Sequence, residues 1–290
     1  MTMIILKEKY GQLGNRLWQY SHLLAFSKEI NLSISYPGFD DYADYFEGTK
    51  NNLFCSYPMI YVPFKIPQIL RKLIFNSVSL IKRILLKINK FNIIYKHIWV
   101  APGHYYDLDE KEHIDVLTKY RIVTLEGWLI RGNNSFVKHN NFIRSYFKPI
   151  NKYTKPVDEL ISVIRGKHDI IIGVHIRRGD YKAYKSENYY SFSEYHELLD
   201  TLSKLFIKKN IAFIIGSDEK LPQSVFTENN LYYTDGFFIN DLYAFSKCDY
   251  IIGVVSTFTL WASFFGNVPL CIIDKIDQEI NLNSFKICNH

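Results

Sequence analysis

Along the second half of the chain, short runs of purely apolar residues alternate with longer segments whose apolar positions recur every three or four residues. DIIIGVHI at 169–176, IAFIIG at 211–216, DYIIGVV at 249–255 and VPLCIID at 268–274 have the length of buried strands. The intervening SFSEYHELLDTLSKLFIKKN, DLYAFSKC and STFTLWASFFG keep helical spacing. Ser191, with Glu194 three residues on, opens the first of these helices, and Asn240 or Asp241 is expected to cap the second. Strands without a polar face, separated by helices, predict a parallel sheet covered on both sides.

The first half opens in the same manner. A strand at Met3 to Leu6 leads through the loop GQLGNR into a helix from Asn15 to about Ile30, and a strand LSISY follows. Asn15 suits the N-cap, and Leu17, Tyr20, Leu24 and Phe26 keep one face. A strand is expected over Arg121 to Ile130. After it, PINKYTKPVDELISVIRGKHD reads as a boundary running into a helix, with Pro156 in the first turn, Asp158 and Glu159 near the positive end, and Gly166 at the stop. The expected division is therefore residues 1–155 and 156–290, each an α/β unit.

The pattern changes between 64 and 97. Lys65, Arg71, Lys72, Lys82, Arg83, Lys87, Lys90 and Lys96 stand among many Ile, Leu and Phe, without one acidic residue from Phe64 to Lys96. Two readings follow: a pair of surface helices with solvated lysines, or an interfacial helix lying on anionic lipid. Over the whole chain the imbalance is modest, with a net charge of +6 in 290 residues, which fits an anionic small molecule as well as a membrane surface. The 48% hydrophobic content supports a sizeable core and argues against disorder.

Four scattered cysteines, with no pair at zinc-ligand spacing, support neither a disulfide framework nor a structural metal. MTMIILKEKY carries too short an apolar run for a signal peptide, and no stretch offers about 18 uninterrupted apolar residues. A cytoplasmic protein, peripheral at the inner face of the membrane, is the expectation.

Open parallel sheets bind ligands beyond the carboxyl ends of their strands, where the strand order switches. RRGDY, GSDEK and VSTF all follow strands at that end. Arg177 and Arg178 leave a strand whose interior holds no charge, and a guanidinium matches a phosphate through two parallel N–H to oxygen bonds. A diphosphate is a natural occupant; the alternative is an ion pair with Asp180 or Asp218. Asp218 has the chemistry to accept from a base or ribose, and Ser256 and Thr257 open a helix whose N–H groups suit a phosphate oxygen. His175 reads equally as a core residue or a contact to base or ribose. No G-x-x-x-x-G-K-S/T occurs, which excludes a P-loop.

GVHIRRGDY resembles the H-x-R-R-G-D-Y signature of glycosyltransferase family 11, the α-1,2-fucosyltransferases, and more loosely the H-x-R-R of α-1,6-fucosyltransferases. GQLGNRLWQYSHLLAFSKE is similar to that family's G-G-L-G-N-Q-x-F-Q-Y opening, and DLYAFSKCDYIIGVVSTFTLWASFFGN to its D-L-x-L-M-S block. The resemblance implies a GT-B arrangement, two Rossmann-like domains facing a cleft, with GDP-fucose as donor and an inverting, metal-independent transfer to O2 of a galactose. It implies no cofactor. It places Arg177 on the β-phosphate with Arg178 and Asp180 shaping that site, His175 and Asp218 near the guanosine, and Ser256, Thr257 and Phe258 among the donor contacts. Asn15 and Gly14 would approach the donor from the N-terminal side. Arg16 stands where the family has Gln, Val255 where it has Asn, and Leu260-Trp261-Ala262 where it has Trp-Trp-Gly.

On the expected acceptor side, Asp40, Asp41, Asp44, Glu47 and Glu126 are candidate bases and Trp128 a candidate stacking surface. The acceptor implied is a galactose-containing glycan, lipid-linked if the basic segment meets a membrane in O-antigen or other surface polysaccharide synthesis. Transfer of another sugar from GDP, or guanine-nucleotide binding without turnover, would keep the arginines. Nucleic acid is not an expected partner.

Overall fold

The computed structural model describes residues 2–88, 94–179, 181–184, 188–221 and 230–289. The chain divides between Ile150 and Asn151 into two units, each containing a five-stranded sheet.

In the first unit β1 (Met3–Leu6), α1 (Leu13–Ile30) and β2 (Ser33–Ser35) follow the expected order. Next come a 3-10 helix at Pro37–Tyr45, β3 (Ser56–Tyr57), α2 (Gln68–Ile88), β4 (Tyr95–Trp99), β5 (Tyr106–Asp107) and α3 (Lys111–Lys119). The unit closes with β6 (Ile122–Glu126), β7 (Ile130–Arg131), α4 (Asn133–Lys138) and α5 (Asn140–Tyr146). The sheet order is β3-β2-β1-β6-β4, parallel apart from the edge pair β2–β3.

Several expectations for this unit need correction. Asn15 does not cap α1, because the Arg16 N–H already donates to the Gln12 carbonyl and the helix starts at Leu13. Every residue from Leu13 to Ser27 except Asn15 is buried, so α1 is a core helix rather than a one-faced one. The strand expected over 121–130 breaks at Gly127, whose φ of +146° only glycine adopts readily. The basic stretch forms one long helix through Ile88 instead of a pair; Lys90 lies outside the described residues. Arg71 is not a surface residue of that helix. It is buried and donates to the carbonyls of Asn52, Thr49 and Lys50, with Asp44 at 3.1 Å.

The second unit comprises α6 (Asn151–Arg165), β8 (Ile170–Ile176), the single turn α7 (Tyr181–Tyr184), α8 (Phe192–Leu205), β9 (Ile211–Ser217) and β10 (Leu231–Tyr233). It ends with α9 (Phe238–Phe245), β11 (Tyr250–Val254), α10 (Thr257–Gly266) and β12 (Leu270–Ile273). All pairs in the order β10-β9-β8-β11-β12 are parallel. Ser191 and Glu194 form the capping box read from the sequence. Pro156 lies in the interior of α6 and not in its first turn: the N–H it lacks would have bonded the carbonyl of Lys152, which is exposed to water. Asn240 and Asp241 lie inside α9, which opens after Phe237. β10 had no signal in the pattern, being three residues long and only partly buried at the sheet edge.

Ile172, Val174 and Ile176 of β8 pack with Phe213 and Ile215 of β9 and with Leu198 and Leu202 of α8, all nearly or fully buried. Each such side chain contributes about 1.5–3 kcal/mol through burial. This rigid layer holds the strand ends. Gly253 permits β11 to lie against β8, since a Cβ there would meet the Cβ and carbonyl oxygen of His175 at 2.9 Å.

Candidate functional site

In the second unit β9 and β10 extend the sheet to one side of β8, whereas β11 and β12 extend it to the other. The order reverses between β8 and β11, and that is where an open parallel sheet binds its ligand. Register sets Ile176 beside Ser217 and His175 beside Gly253. The segments leaving the carboxyl ends of β9, β8 and β11 therefore emerge side by side, as the sequence predicted.

The two adjacent arginines have different surroundings. Arg178 donates through Nε to Glu219 at 2.7 Å, through Nη1 to the Tyr190 carbonyl at 2.5 Å and through Nη2 to the Tyr189 hydroxyl at 2.6 Å. Its guanidinium also lies 4.3 Å from the Tyr189 ring centroid and 4.2 Å from that of Phe192. The ion pair weighed for Arg178 exists, but with Glu219. Arg177 has Nε at 3.7 Å from Asp218 Oδ2, and its guanidinium lies 5.3 Å from the Tyr181 ring. The Tyr181 hydroxyl in turn donates to the Val255 carbonyl at 2.5 Å, tying the segment after β8 to the end of β11.

Asp218 acts as a buckle: its Oδ1 accepts from the backbone N–H groups of Arg178 at 2.8 Å and Gly179 at 3.0 Å. This fixes the turn that carries both arginines. Asp180 lies outside the described residues. His175 is buried between Phe258, stacked at 5.4 Å, and Phe245, edge-on at 6.0 Å, and its Nδ1 has no hydrogen-bond partner. Burial, reinforced by the charge of Arg177, lowers its pKa to about 4, so the ring is neutral at physiological pH. Ser256 caps α10 by accepting from the Phe258 N–H at 3.3 Å, with Thr257 as the first helical residue.

A cavity of about 620 Å³ opens over the ends of β9 and β10 and is lined by residues that include Asp218, Thr234, Asp235 and Asp241. Burial raises the Asp241 pKa to about 6, with the nearby Asp235 adding to the rise and a hydrogen bond from Thr234 opposing it. Asp235 is held by the Asn240 amide, 2.9 Å from each of its oxygens. Sequence reading missed Asp235, Asp241 and Thr234. A signal exists for Asp241, a carboxylate inside the apolar run FINDLYAF, but in the sequence it reads as a cap. A second cavity, about 520 Å³, lies among residues 246–249 and 265–269, at the amino ends of β11 and β12.

The first unit carries the other candidates. Gly14 and Asn15 form part of the first turn of α1. Lys9 Nζ lies 2.6 Å from Asp40 Oδ1 and 2.9 Å from Asp41 Oδ2. Arg16 donates to the Gly11 and Gly38 carbonyls and to Asp41 at 2.8 Å. Burial pushes the Asp41 pKa up, but the bonds from Arg16 and Lys9 outweigh it and leave the carboxyl below its ordinary value. Glu126 shows the same balance with Lys82 at 2.8 Å. Asp44 pairs with Arg71, and Glu47 with Lys50 at 2.5 Å. Trp128 packs under the Arg131 guanidinium at 4.7 Å. Among the described residues, no three His, Cys, Asp or Glu are grouped to hold a metal ion.

Residues 133–280 match the family model described as glycosyl transferase family 11. A mutant of Arabidopsis thaliana FUT1 in complex with GDP shares the fold with a TM-score of 0.57 at 14% identity, over 94% of this chain and 70% of that one. NodZ alpha-1,6-fucosyltransferase soaked with GDP-fucose gives 0.56 at 12% identity, over 94% and 96%; NodZ is from Bradyrhizobium. POFUT1 in complex with GDP-fucose gives 0.53 at 11% identity, over 92% and 94%. Comparison with curated protein sequences finds no match.

Proposed function

Because the chain belongs to glycosyltransferase family 11, we propose that it transfers L-fucose from GDP-β-L-fucose to O2 of a galactose in a glycan acceptor, with inversion and without a metal. The observation that carries this reading is the position of Arg177. It stands at the switch in strand order, between the buckle of Asp218 and the capped start of α10.

The cavity beside it suits guanine. The base presents N1–H and an exocyclic NH2 along one edge, and carboxylates are the acceptors that match such an edge. Asp235 and Asp241 supply them there. Adenine, whose ring nitrogens on that edge only accept, would meet these carboxylates without a donor at N1.

In the reaction the bond from the anomeric carbon to the β-phosphate oxygen breaks as the bond to the acceptor oxygen forms on the opposite face. The acceptor hydroxyl gives up its proton to solvent water as the new bond forms, and GDP departs with both electrons of the broken bond. Negative charge on the leaving oxygen is greatest in the transition state, so a guanidinium fixed beside it accelerates the step. Arg177 does what a divalent cation does in metal-dependent transferases. Asp41 and Glu126, both ion-paired with lowered pKa values, are weak bases, which fits a dissociative transition state that asks little of a base.

Release of GDP from GDP-fucose, assayed in chelator with a galactose-terminated oligosaccharide, tests the reading. GDP-mannose and UDP-galactose serve as comparators. Acceptor-dependent release from GDP-fucose alone supports it; release only from another donor, or GDP binding without turnover, overturns it.

A further inference from the structure

The surface of α2 does not enter the transfer reading. Arg71 and Val78, seven residues apart, are buried and mark the face packed on the first unit. On the opposite face Ile69, Leu73, Leu80 and Ile84, spaced by four, seven and four, form one stripe with relative exposures of 70%, 59%, 59% and 49%. The stripe runs roughly 22 Å at 1.5 Å per residue.

A row of exposed cations, Lys72, Arg83 and Lys87, flanks this stripe along one side, and exposed Lys65 precedes the helix. No carboxylate occurs between Phe64 and Lys96 to neutralise them. Lys82 stands apart, since it is turned inward onto Glu126 and His97. An ordinary surface helix shows the reverse pattern, with its apolar stripe inward. We infer that this face of α2 lies on the surface of an anionic lipid bilayer, the apolar stripe sunk into the headgroup boundary and the cations against lipid phosphates. Charge alone would suit any polyanion, but an outward apolar stripe beside the charge fits a lipid surface. Among the described residues no helix is long and apolar enough to cross a membrane, so this contact lies along the bilayer.

The inference goes beyond the transfer reading and is tested separately from it. The full chain is floated with vesicles of phosphatidylcholine alone or with 30% phosphatidylglycerol (roughly the anionic content that tests this) at low and high salt. Binding to the anionic vesicles alone, weakened by salt, is expected. Lys72→Gln, Arg83→Gln and Lys87→Gln together should reduce it roughly a hundredfold, about fivefold for each charge. Replacing Ile69, Leu73, Leu80 and Ile84 by Ser should abolish it, while GDP release with a soluble acceptor stays at the parent level in both variants. No binding to anionic vesicles at low salt would overturn the inference. So would a self-associated chain, seen by sedimentation velocity, that becomes monomeric in the serine variant, since the stripe would then cover a second copy.

Discussion

Both sheets gather charge at the end of their first strand, and the two clusters differ in how that charge is balanced. In the first unit Lys9 lies 2.6 Å from Asp40 and 2.9 Å from Asp41, and Arg16 lies 2.8 Å from Asp41 and donates to two carbonyls, although the buried Asp40 oxygens accept no hydrogen bond. In the second unit Arg177 Nε lies 3.7 Å from Asp218, a carboxylate that also accepts from two backbone N–H groups. His175 keeps a buried nitrogen without a hydrogen bond, and Asp241 holds a carboxyl whose pKa burial has raised to about 6. A buried group left poorly satisfied costs stability, and such cost concentrates where a ligand supplies the missing partner. What separates the two clusters is the cavity: Asp218, beside Arg177, lines it together with Asp235 and Asp241, and this marks the second cluster as the candidate site.

The largest effect should come from Arg177→Ala. Loss of a cation acting on the leaving group should cost at least about 3 kcal/mol in transition-state stabilisation, a hundredfold or more in kcat/KM, with little change in unfolding midpoint. Arg178→Ala should do the opposite first: with Glu219 and the Tyr190 carbonyl left unpartnered, stability should fall by about 3 kcal/mol in urea titrations. If the two substitutions behave alike, the contrast between neighbouring arginines fails.

Asp241→Asn comes next and separates function from stability. The folded pKa of about 6 lies above the unfolded value near 3.9, so the folded state binds protons more tightly, and the Asp241 contribution to stability is lost as pH rises through 6. The amide should raise stability by about 2 kcal/mol at pH 8 and leave it unchanged at pH 3, while weakening GDP binding. Denaturant titrations at both pH values, with calorimetric GDP affinities, check the opposed signs. The smallest effect belongs to Arg16→Gln, which keeps part of the bonding in the first cluster. A loss of about 1 kcal/mol in stability, with unchanged GDP affinity, is expected.

The alternation of apolar runs made the second unit legible, because parallel strands covered on both faces leave no polar register to confuse with other structure. It also placed Arg177, Asp218 and Ser256 at one sheet end. What it missed has physical reasons. Nothing in RRGD says that the second arginine closes on Glu219 and Tyr189, since these contacts depend on the path taken after β9 and before α8. Asn240 and Asp241 looked like caps because capping and cavity-lining residues share a polar composition at helix starts. In α1 burial on nearly every face erased the periodicity from which a start is read, and Asn15 consequently reads as a cap three residues past the actual one, Gln12.

The account turns on Arg177 holding a diphosphate, and calorimetric titration of GDP and guanosine into the parent chain and Arg177→Ala, in chelator, tests that most directly. The parent should bind GDP far more tightly than guanosine. The variant should bind the two nearly alike, with guanosine affinity unchanged. A variant that keeps the full preference for GDP would contradict the assignment of the diphosphate to Arg177.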